Sequence, residues 1–334
     1  MSMKTKIVYV TTCNESNFYL EQVLMSAYSA RLHNPDATIL LVTDVDSEKT
    51  IVGKRETIRQ YVNDVLAFDC PKGYNNMMKS RYLKTNLRNL IDGDMLYVDS
   101  DTVICGPLDD IDKIEDDVCG IRNRHTLFNR NNNKSTYKLF SKCDYDFEDE
   151  FVYINGGVLL AKDSDVARNL YGEWFKEWKY TLSKGCPMDM MSLHKAELNV
   201  GYKIKEIPGE WNCQIEGACL NYLKDAKILH YFAMGSRDAT TSYKLRELCV
   251  YERIKEMGNI PDDILFFLHN PHKAFTENHL IIAGQTLQFM KDSEGIQKLN
   301  KYFPRLSRSL LSFFDRLAQS CSSFVGEKTR SRKV

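Results

Sequence analysis

An α/β fold, with a mainly parallel (mixed) central sheet covered by helices, is what this sequence predicts. Three observations carry the prediction. Short apolar runs at Lys6–Thr12, Thr38–Val42, Val65–Phe68 and Met95–Val98 alternate with segments whose apolar residues recur at helical spacing. The intervals between these runs are long enough for crossover helices, which parallel neighbours require. The runs are apolar on consecutive positions, as in strands covered on both faces.

The elements follow in order. Leu20, Val23, Leu24, Ala27 and Tyr28 set a helix that Asn34-Pro35-Asp36 ends. Glu48–Tyr61 reads as a second helix. Leu83, Leu87, Leu90 and Ile91 mark a third, stopped by Asp92-Gly93 before the Met95–Val98 strand. Val118–Ile121 is a further strand. Arg122–Glu150 then breaks the pattern with the polar run Asn129-Arg130-Asn131-Asn132-Asn133-Lys134, and reads as a lid or acceptor loop. Phe151–Ala161 resumes as a strand, followed by a helix over Asp165–Leu182 and short strands at Lys203–Ile207 and Ile228–Phe232. From about Thr240 the chain reads as helical. The expected organisation is a catalytic domain over 1–258, a helical C-terminal extension over 259–302 and a basic amphipathic tail over 303–334.

Composition narrows the function. Lys+Arg and Asp+Glu are 45 each, so no whole-chain field draws the protein to nucleic acid. Hydrophobic residues at 43% and charged residues at 27% exclude a disordered or fibrous chain. No apolar run approaches a membrane span, and the N-terminal run is too short for a signal-peptide core, so a cytoplasmic location is expected. The ten cysteines are scattered without a Cys-x-x-Cys pair, which suits reduced, packed thiols.

The sharpest chemical feature is MLYVDSDTVI, Met95–Ile104. An apolar strand delivers Asp99 and Asp101 at its carboxyl end, where parallel sheets bind ligands. Continued extended geometry would put both carboxylates on one side and Ser100 on the other. Adjacent like charges are offset by a divalent cation, and oxygen ligands suit Mg²⁺ or Mn²⁺, which can bridge to a diphosphate. The plain alternative is a turn in which Asp and Ser cap backbone N–H groups. Arg81, Lys84 and Arg88 share one face of the preceding helix, which reads equally as an ordinary solvated face.

Two enzyme classes place Asp-x-Asp at such a strand end. Haloacid-dehalogenase-type phosphatases follow a strand with Asp-x-Asp-x-Thr, with Asp99 as nucleophile and Asp101 as acid/base; Thr102 is the nearest threonine. That motif normally opens its sheet, whereas three strands precede it here. From roughly Lys6 to Arg237, the order of motifs instead resembles glycosyltransferase family 8 and related bacterial nucleotide-diphospho-sugar transferases.

IVYVTTCN is similar to that family's uridine-holding segment and implicates Thr11, Thr12 and Asn14, without the acidic residue often found in this turn. YVDSDTVI is similar to its metal motif, with Ser100 on the donor. YINGGVLLAK resembles its Asn-Ser-Gly-Val segment, with Gly156 in the serine's place, and implicates Asn155, Gly156 and Gly157. PMDMMSLHKA resembles the Asp-Gln-Asp helix start, of which Asp189 is kept. IPGEWNCQ is similar to the acceptor-side segment, with Trp211, Asn212 and Gln214. ILHYFAMG resembles the strand that supplies a histidine metal ligand, His230. Gly235 and Arg237 stand nearest to the glycine and lysine that follow it in the family. A basic residue near the metal strand, Arg81 or Lys84, falls to the diphosphate.

The resemblance implies a GT-A-type single domain and a retaining, metal-dependent hexosyltransferase. Asp99, Asp101 and His230 would hold Mn²⁺ (or Mg²⁺). The donor would be a nucleotide-sugar of the UDP-hexose type, the acceptor a glycan or lipid-linked glycan, and Asp189 and Asn155 the catalytic pair. Plain structural readings stand beside these: His230 and Trp211 as core residues, Asn155-Gly156-Gly157 as a β-bulge, Asp189 as a helix cap. The phosphatase and a non-catalytic sugar-nucleotide binder stay open as alternatives.

The tail carries a separate signal. Leu306, Leu310, Phe313, Phe314 and Leu317 recur at helical intervals, with Arg305, Arg308 and Arg316 on another face. Seven basic residues against Asp315 and Glu327 give 303–334 a net charge of +5. An apolar face opposed by arginines suits an anionic membrane surface, so peripheral attachment to the inner face of the plasma membrane is expected.

Overall fold

The computed structural model describes residues 3–216, 219–232, 242–276, 294–303, 305–306, 309–310 and 312–313. Residues 1–278 form one compact unit and residues 279–334 a second. In the first unit the predicted alternation appears as β1 (Lys6–Val10), α1 (Tyr19–His33), β2 (Ile39–Asp44), a single turn α2 (Val45–Glu48), β3 (Asp64–Phe68), α3 (Asn76–Thr85), α4 (Leu87–Leu90) and β4 (Met95–Val98). A short β5 (Thr102–Ile104) and β6 (Val118–Arg122) follow. Then come β7 (Phe128–Asn129), α5 (Lys134–Lys142), β8 (Glu150–Phe151), β9 (Ile154–Ala161), α6 (Asp165–Ser183) and α7 (Asp189–Val200). The unit continues through β10 (Lys205–Glu206), β11 (Cys213–Gln214), α8 (Leu220–Leu223), β12 (Ile228–His230), α9 (Leu248–Met257) and α10 (Asp262–His269).

Seven strands make the central sheet in the order β10-β6-β9-β4-β1-β2-β3. β1, β2, β3 and β4 run parallel, and β9 runs antiparallel between β4 and β6. The sheet is apolar on both faces because alternate residues of each strand enter different cores. Ile7, Tyr9, Ile39, Leu41, Leu96 and Val98 pack on the α1 side. Val8, Val10, Leu40, Val42, Met95 and Tyr97 pack with Leu83, Trp174 and Leu193 of α3, α6 and α7. A small sheet, β11-β12-β5, continues from the carboxyl end of β4.

Two expectations change. Glu48–Tyr61 is not one helix: α2 ends at Glu48, and a 3₁₀ segment begins at Gly53, whose φ of +58° interrupts helical geometry. Ile51 and Ile58 still reach the core from these pieces. The 122–150 segment, read as polar, carries packed structure of its own. Phe128, Phe140, Tyr145 and Phe147 cluster with Tyr153, Cys186 and Met191 under the β7–β8 pair and α5. Its apolar residues are few but aromatic, and each buries a large area.

α9 and α10 lie against α1, through stacked Phe18 and Tyr251 rings and a 2.9 Å hydrogen bond between Tyr28 Oη and His269 Nε2. In the second unit, Glu294–Tyr302 is helical. No helix among the described residues is long and apolar enough to cross a membrane.

Candidate metal and donor site

The site forms where β4 leaves the sheet. The Asp99 N–H donates to the Gly157 carbonyl at 2.7 Å, the last tie to β9. The chain then bends at Ser100-Asp101, so the extended geometry expected from the sequence stops at Asp99. Thr102 Oγ1 donates back to the Asp99 carbonyl at 2.9 Å and meets Ser26 Oγ at 2.8 Å. β5 pairs antiparallel with β12 and sets Thr102 opposite His230. The Tyr231 N–H also donates to the Asp101 carbonyl at 3.0 Å. This ladder, made by residues far apart in sequence, delivers the imidazole to the two carboxylates.

Asp99, Asp101 and His230 each offer one ligand atom, and these atoms lie within 4.8 Å of one another. His230 Nε2 is 3.3 Å from Asp101 Oδ1. On its other side, His230 Nδ1 lies 3.0 Å from Asn212 Oδ1. An amide oxygen only accepts, so Nδ1 is the donor in this pair and Nε2 is the ring atom that faces the carboxylates. Two acceptors at 3.3 Å need a proton or a cation between them. The donor set of two carboxylates and one imidazole fits a divalent metal ion.

Gly157 makes the convergence possible. A Cβ there would stand 2.4 Å from His230 Cε1 and 2.8 Å from Asp99 Oδ2. The glycine thus serves close approach of side chains within a strand, and the β6–β9 register shifts across this segment, from Gly120 opposite Leu159 to Ile121 opposite Asn155, in line with the β-bulge reading. Asn155 backs the same cluster. Its Oδ1 accepts from the Gly157 N–H at 2.9 Å and from Asn212 Nδ2 at 3.0 Å, while its Nδ2 donates to Asn123 Oδ1 at 3.0 Å. Asn123–Asn155–Asn212–His230 is therefore one hydrogen-bonded chain, with Asn155 and Asn212 buried.

On the α3 side stands a cation pair. Lys84 Nζ lies 2.8 Å from Asp189 Oδ2 and 3.4 Å from Asp99 Oδ1, and Arg81 Nε lies 3.1 Å from Asp189 Oδ1. The sequence left Arg81 and Lys84 as alternatives; the structure brings both to Asp189. Burial alone would raise the Asp189 carboxyl, but the charges of Arg81 and Lys84 hold it well below the usual range. Asp189 in turn pushes the Arg81 guanidinium up. Asp189 is the first residue of α7, after the N-cap Met188. The third basic residue of the helix face, Arg88, departs from the solvated reading. It is fully buried and donates to the carbonyls of Ile91, Gly93, Ala161 and Lys162.

Tyr97 was missed. Its hydroxyl donates to Asp99 Oδ1, and burial pushes the phenol far up, which keeps it a donor. The signal was available: Tyr97 lies two residues before Asp99 and so on the same face of the strand. Asn123 has no comparable local signal.

The remaining candidates divide. β1 and β4 are neighbours with Val8 opposite Tyr97, so Thr11 and Thr12 leave the sheet on the same edge as Asp99. Both are buried, and Thr12 Oγ1 donates to the Asn76 carbonyl at 2.6 Å, joining this turn to α3. Asn14 is exposed and closes its own turn by accepting from the Ser16 N–H at 2.9 Å. Ser100 Oγ donates to Gln22 Oε1 at 3.3 Å, toward α1. A Cβ on Gly156 would meet Lys84 Nζ at 3.3 Å and Asp189 Oδ2 at 3.4 Å, so this residue faces the cation pair.

Gln214 is fully buried beside His230 in the β11–β12 ladder. Trp211 packs in the core, 5% exposed, with Lys227 Nζ 4.8 Å from its ring centroid. The ring is in the position of a core residue, not of an open sugar platform. Gly235 and Arg237 lie outside the described residues.

No family model matches the chain, and no curated protein matches it. Solved structures do. The bifunctional glycosyltransferase WbbM in its apo form is similar with a TM-score of 0.50 at 14% identity, over 80% of this chain and 52% of that one. The fold is of the GT-A type. This chain spans about half the length of WbbM. The galactosyltransferase LgtC, in complex with donor and acceptor sugar analogues, is similar at 13% identity over 78% of this chain and 98% of that one, with a TM-score of 0.48. Mouse xyloside xylosyltransferase 1 is similar at 12% identity over 68% and 97%, with a TM-score of 0.46. At these identities the likeness speaks for the fold.

Proposed function

We propose that the protein is a metal-dependent glycosyltransferase that moves a hexose from a nucleotide-sugar to a glycan or glycolipid acceptor. The observation that carries this reading is the convergence of Asp99, Asp101 and His230 at the carboxyl edge of a GT-A-type sheet, beside Lys84, Arg81 and Asp189. A divalent cation held by the three ligands would supply positive charge against a departing nucleoside diphosphate. Lys84 and Arg81 add fixed positive charge at the same edge. Asp189, ionised between them, is suited to accept a hydrogen bond from a sugar hydroxyl and unsuited to donate a proton. Asn155 and Asn212 position the imidazole. A UDP-hexose donor, Mn²⁺ rather than Mg²⁺, retention of anomeric configuration and membership of glycosyltransferase family 8 rest on the resemblance of the motifs.

The phosphatase reading fares less well. Asp99 Oδ1 is engaged by Tyr97 and Lys84, so the nucleophilic attack this reading needs would fall to Oδ2 alone. It also needs a threonine two residues after Asp101, a place that Val103 occupies, and Thr102 is fully buried. The experiment that separates these readings is nucleotide release from a panel of UDP-sugars with and without Mn²⁺. Mn²⁺-dependent release supports the transferase. Release of inorganic phosphate from phosphate esters supports the phosphatase, and binding without turnover supports a non-catalytic binder.

The tail belongs to the same proposal. Phe303, Leu306, Leu310 and Phe313 are exposed, while 314–334 lie outside the described residues. Together with the +5 charge they suit an anionic membrane surface on which a lipid-linked acceptor would stand. Co-sedimentation with anionic vesicles that survives truncation near Tyr302 would contradict this part.

A further inference from the structure

A cavity of about 300 Å³ opens beyond the metal cluster, walled by Arg122, His125, Glu206, Pro208, Gly209 and Tyr222. It lies at the carboxyl ends of β6 and β10, which run parallel. In the sheet, β6 is two strands from β4 and β10 is three. At about 4.8 Å per strand, the cavity is roughly 10–14 Å along the edge from the carboxylates. It therefore shares the ligand-binding edge of the sheet without sharing the metal ligands.

Its walls are built, not incidental. Arg124 and His125 both adopt left-handed backbone, with φ of 55° and 58°, a conformation that persists in such residues only when neighbours enforce it. Gln214 does so. Its N–H donates to His125 Nε2 at 3.1 Å, its Nε2 donates to the Arg122 carbonyl at 3.0 Å, and its Oε1 accepts from the Arg124 N–H at 2.7 Å. Gln214 pairs with His230 across β11 and β12, so the cavity wall and the metal histidine hang on one ladder. Tyr222 lies flat on Gly209, where a Cβ would come within 2.6 Å of the ring, and its other neighbour is the His125 ring at 4.6 Å.

The charges of the wall cancel. Arg122 and Glu206 form a two-pronged pair at 2.5 and 2.7 Å, and each side chain is about one-third exposed. The fork engages two of the five guanidinium N–H donors. Burial pushes the His125 imidazole down to about 4, so it is neutral near pH 7. What remains is a small, electrically balanced pocket with aromatic edges and a planar hydrogen-bonding pair. Its volume is at the lower end of ligand pockets, which run to about 1,000 Å³.

We propose that this cavity is a subsite for one neutral pyranose residue of the acceptor, placed one or two sugar units from the hydroxyl that is glycosylated. The proposal rests on the transferase reading above. A neutral sugar presents hydroxyls to Arg122 and Glu206 and an apolar face to the aromatic edges. An anionic sugar would have to compete with Glu206 for Arg122.

The test is saturation-transfer NMR on the full chain with methyl β-glucoside, methyl β-galactoside and sodium glucuronate, in the presence of UDP and Mn²⁺. A methyl hexoside should bind, undisplaced by UDP, with glucuronate about tenfold weaker. Glu206→Gln frees Arg122 and should shift the preference about tenfold toward glucuronate, with Mn²⁺-dependent UDP binding unchanged. Failure of all three sugars to bind while UDP still binds would overturn the subsite and leave the donor site standing. So would displacement of the hexosides by UDP, or an unaltered preference in Glu206→Gln. Hexoside binding without any Mn²⁺-dependent UDP binding would instead overturn the transferase reading.

Discussion

Lys84 Nζ and Asp189 Oδ2 meet at 2.8 Å with side chains only 3% and 5% exposed, although 104 residues separate them in the chain. Lys84 has a further carboxylate partner in Asp99, at 3.4 Å, so two acids face one buried ammonium. By formal charge, Arg81 and Lys84 face the carboxylates of Asp99, Asp101 and Asp189, one negative charge in excess. A divalent cation would reverse that sign, which is the polarity a diphosphate needs.

Replacing Lys84 therefore strikes stability and function together. Lys84→Met should lower unfolding free energy by about 3–5 kcal/mol in urea titrations, because it strands buried carboxylate charge. Adding Asp189→Asn should recover a large part of that loss while donor turnover stays abolished. A stability-neutral Lys84→Met would mean that water already screens the pair.

The two glycines of the Asn155-Gly156-Gly157 segment should differ sharply. Gly157→Ala drives a methyl into His230 and Asp99 Oδ2, so it should cost about 1–3 kcal/mol of stability and abolish Mn²⁺ binding. Gly156→Ser meets Lys84 Nζ at 3.3 Å and Asp189 Oδ2 at 3.4 Å, near ordinary contact and away from the metal ligands, and its fold and Mn²⁺ affinity should survive. Melting curves and Mn²⁺ titration on both variants check this.

The contrast shows what the sequence could and could not tell. Strands β1 to β4 and the Asp99–Asp101 pair were legible because apolar runs and strand-end acids are local signals. His230 was legible through its motif, while the Asn212–Asn155–Asn123 chain behind it was not, since amide partners leave no periodicity. Arg88 was misread because a guanidinium can be buried once it finds enough carbonyls, and spacing does not reveal carbonyls. The aromatic cluster of 128–153 was hidden by irregular intervals between Phe128, Phe140, Tyr145 and Phe147. Trp211 followed the general tendency of tryptophan to be buried.

Stability should fall in mild acid. His125 has an ordinary value of 6.5 and is pushed down to about 4 by burial, against the opposing pull of Glu206. Between those values the unfolded chain binds a proton that the folded chain refuses, so stability drops as pH falls through this window. Asp189 acts in the same direction only at lower pH, because its folded carboxyl lies below the ordinary 3.8. The melting temperature should decline from about pH 7 to about pH 5, and His125→Gln should flatten that decline. An equal slope in wild type and variant would place the acid sensitivity elsewhere.

The most direct measurement is Mn²⁺ binding itself, by electron paramagnetic resonance on the full chain with UDP present. The wild type should bind one Mn²⁺ per chain. Asp99→Asn and Asp101→Asn should lose it with melting temperatures intact, and Asn212→Ala should weaken it about 10–100-fold by freeing the His230 ring. A folded wild type that binds no Mn²⁺ or Mg²⁺, or an Asp101→Asn variant that binds as tightly as the wild type, would contradict the assignment of Asp99, Asp101 and His230 as a metal centre.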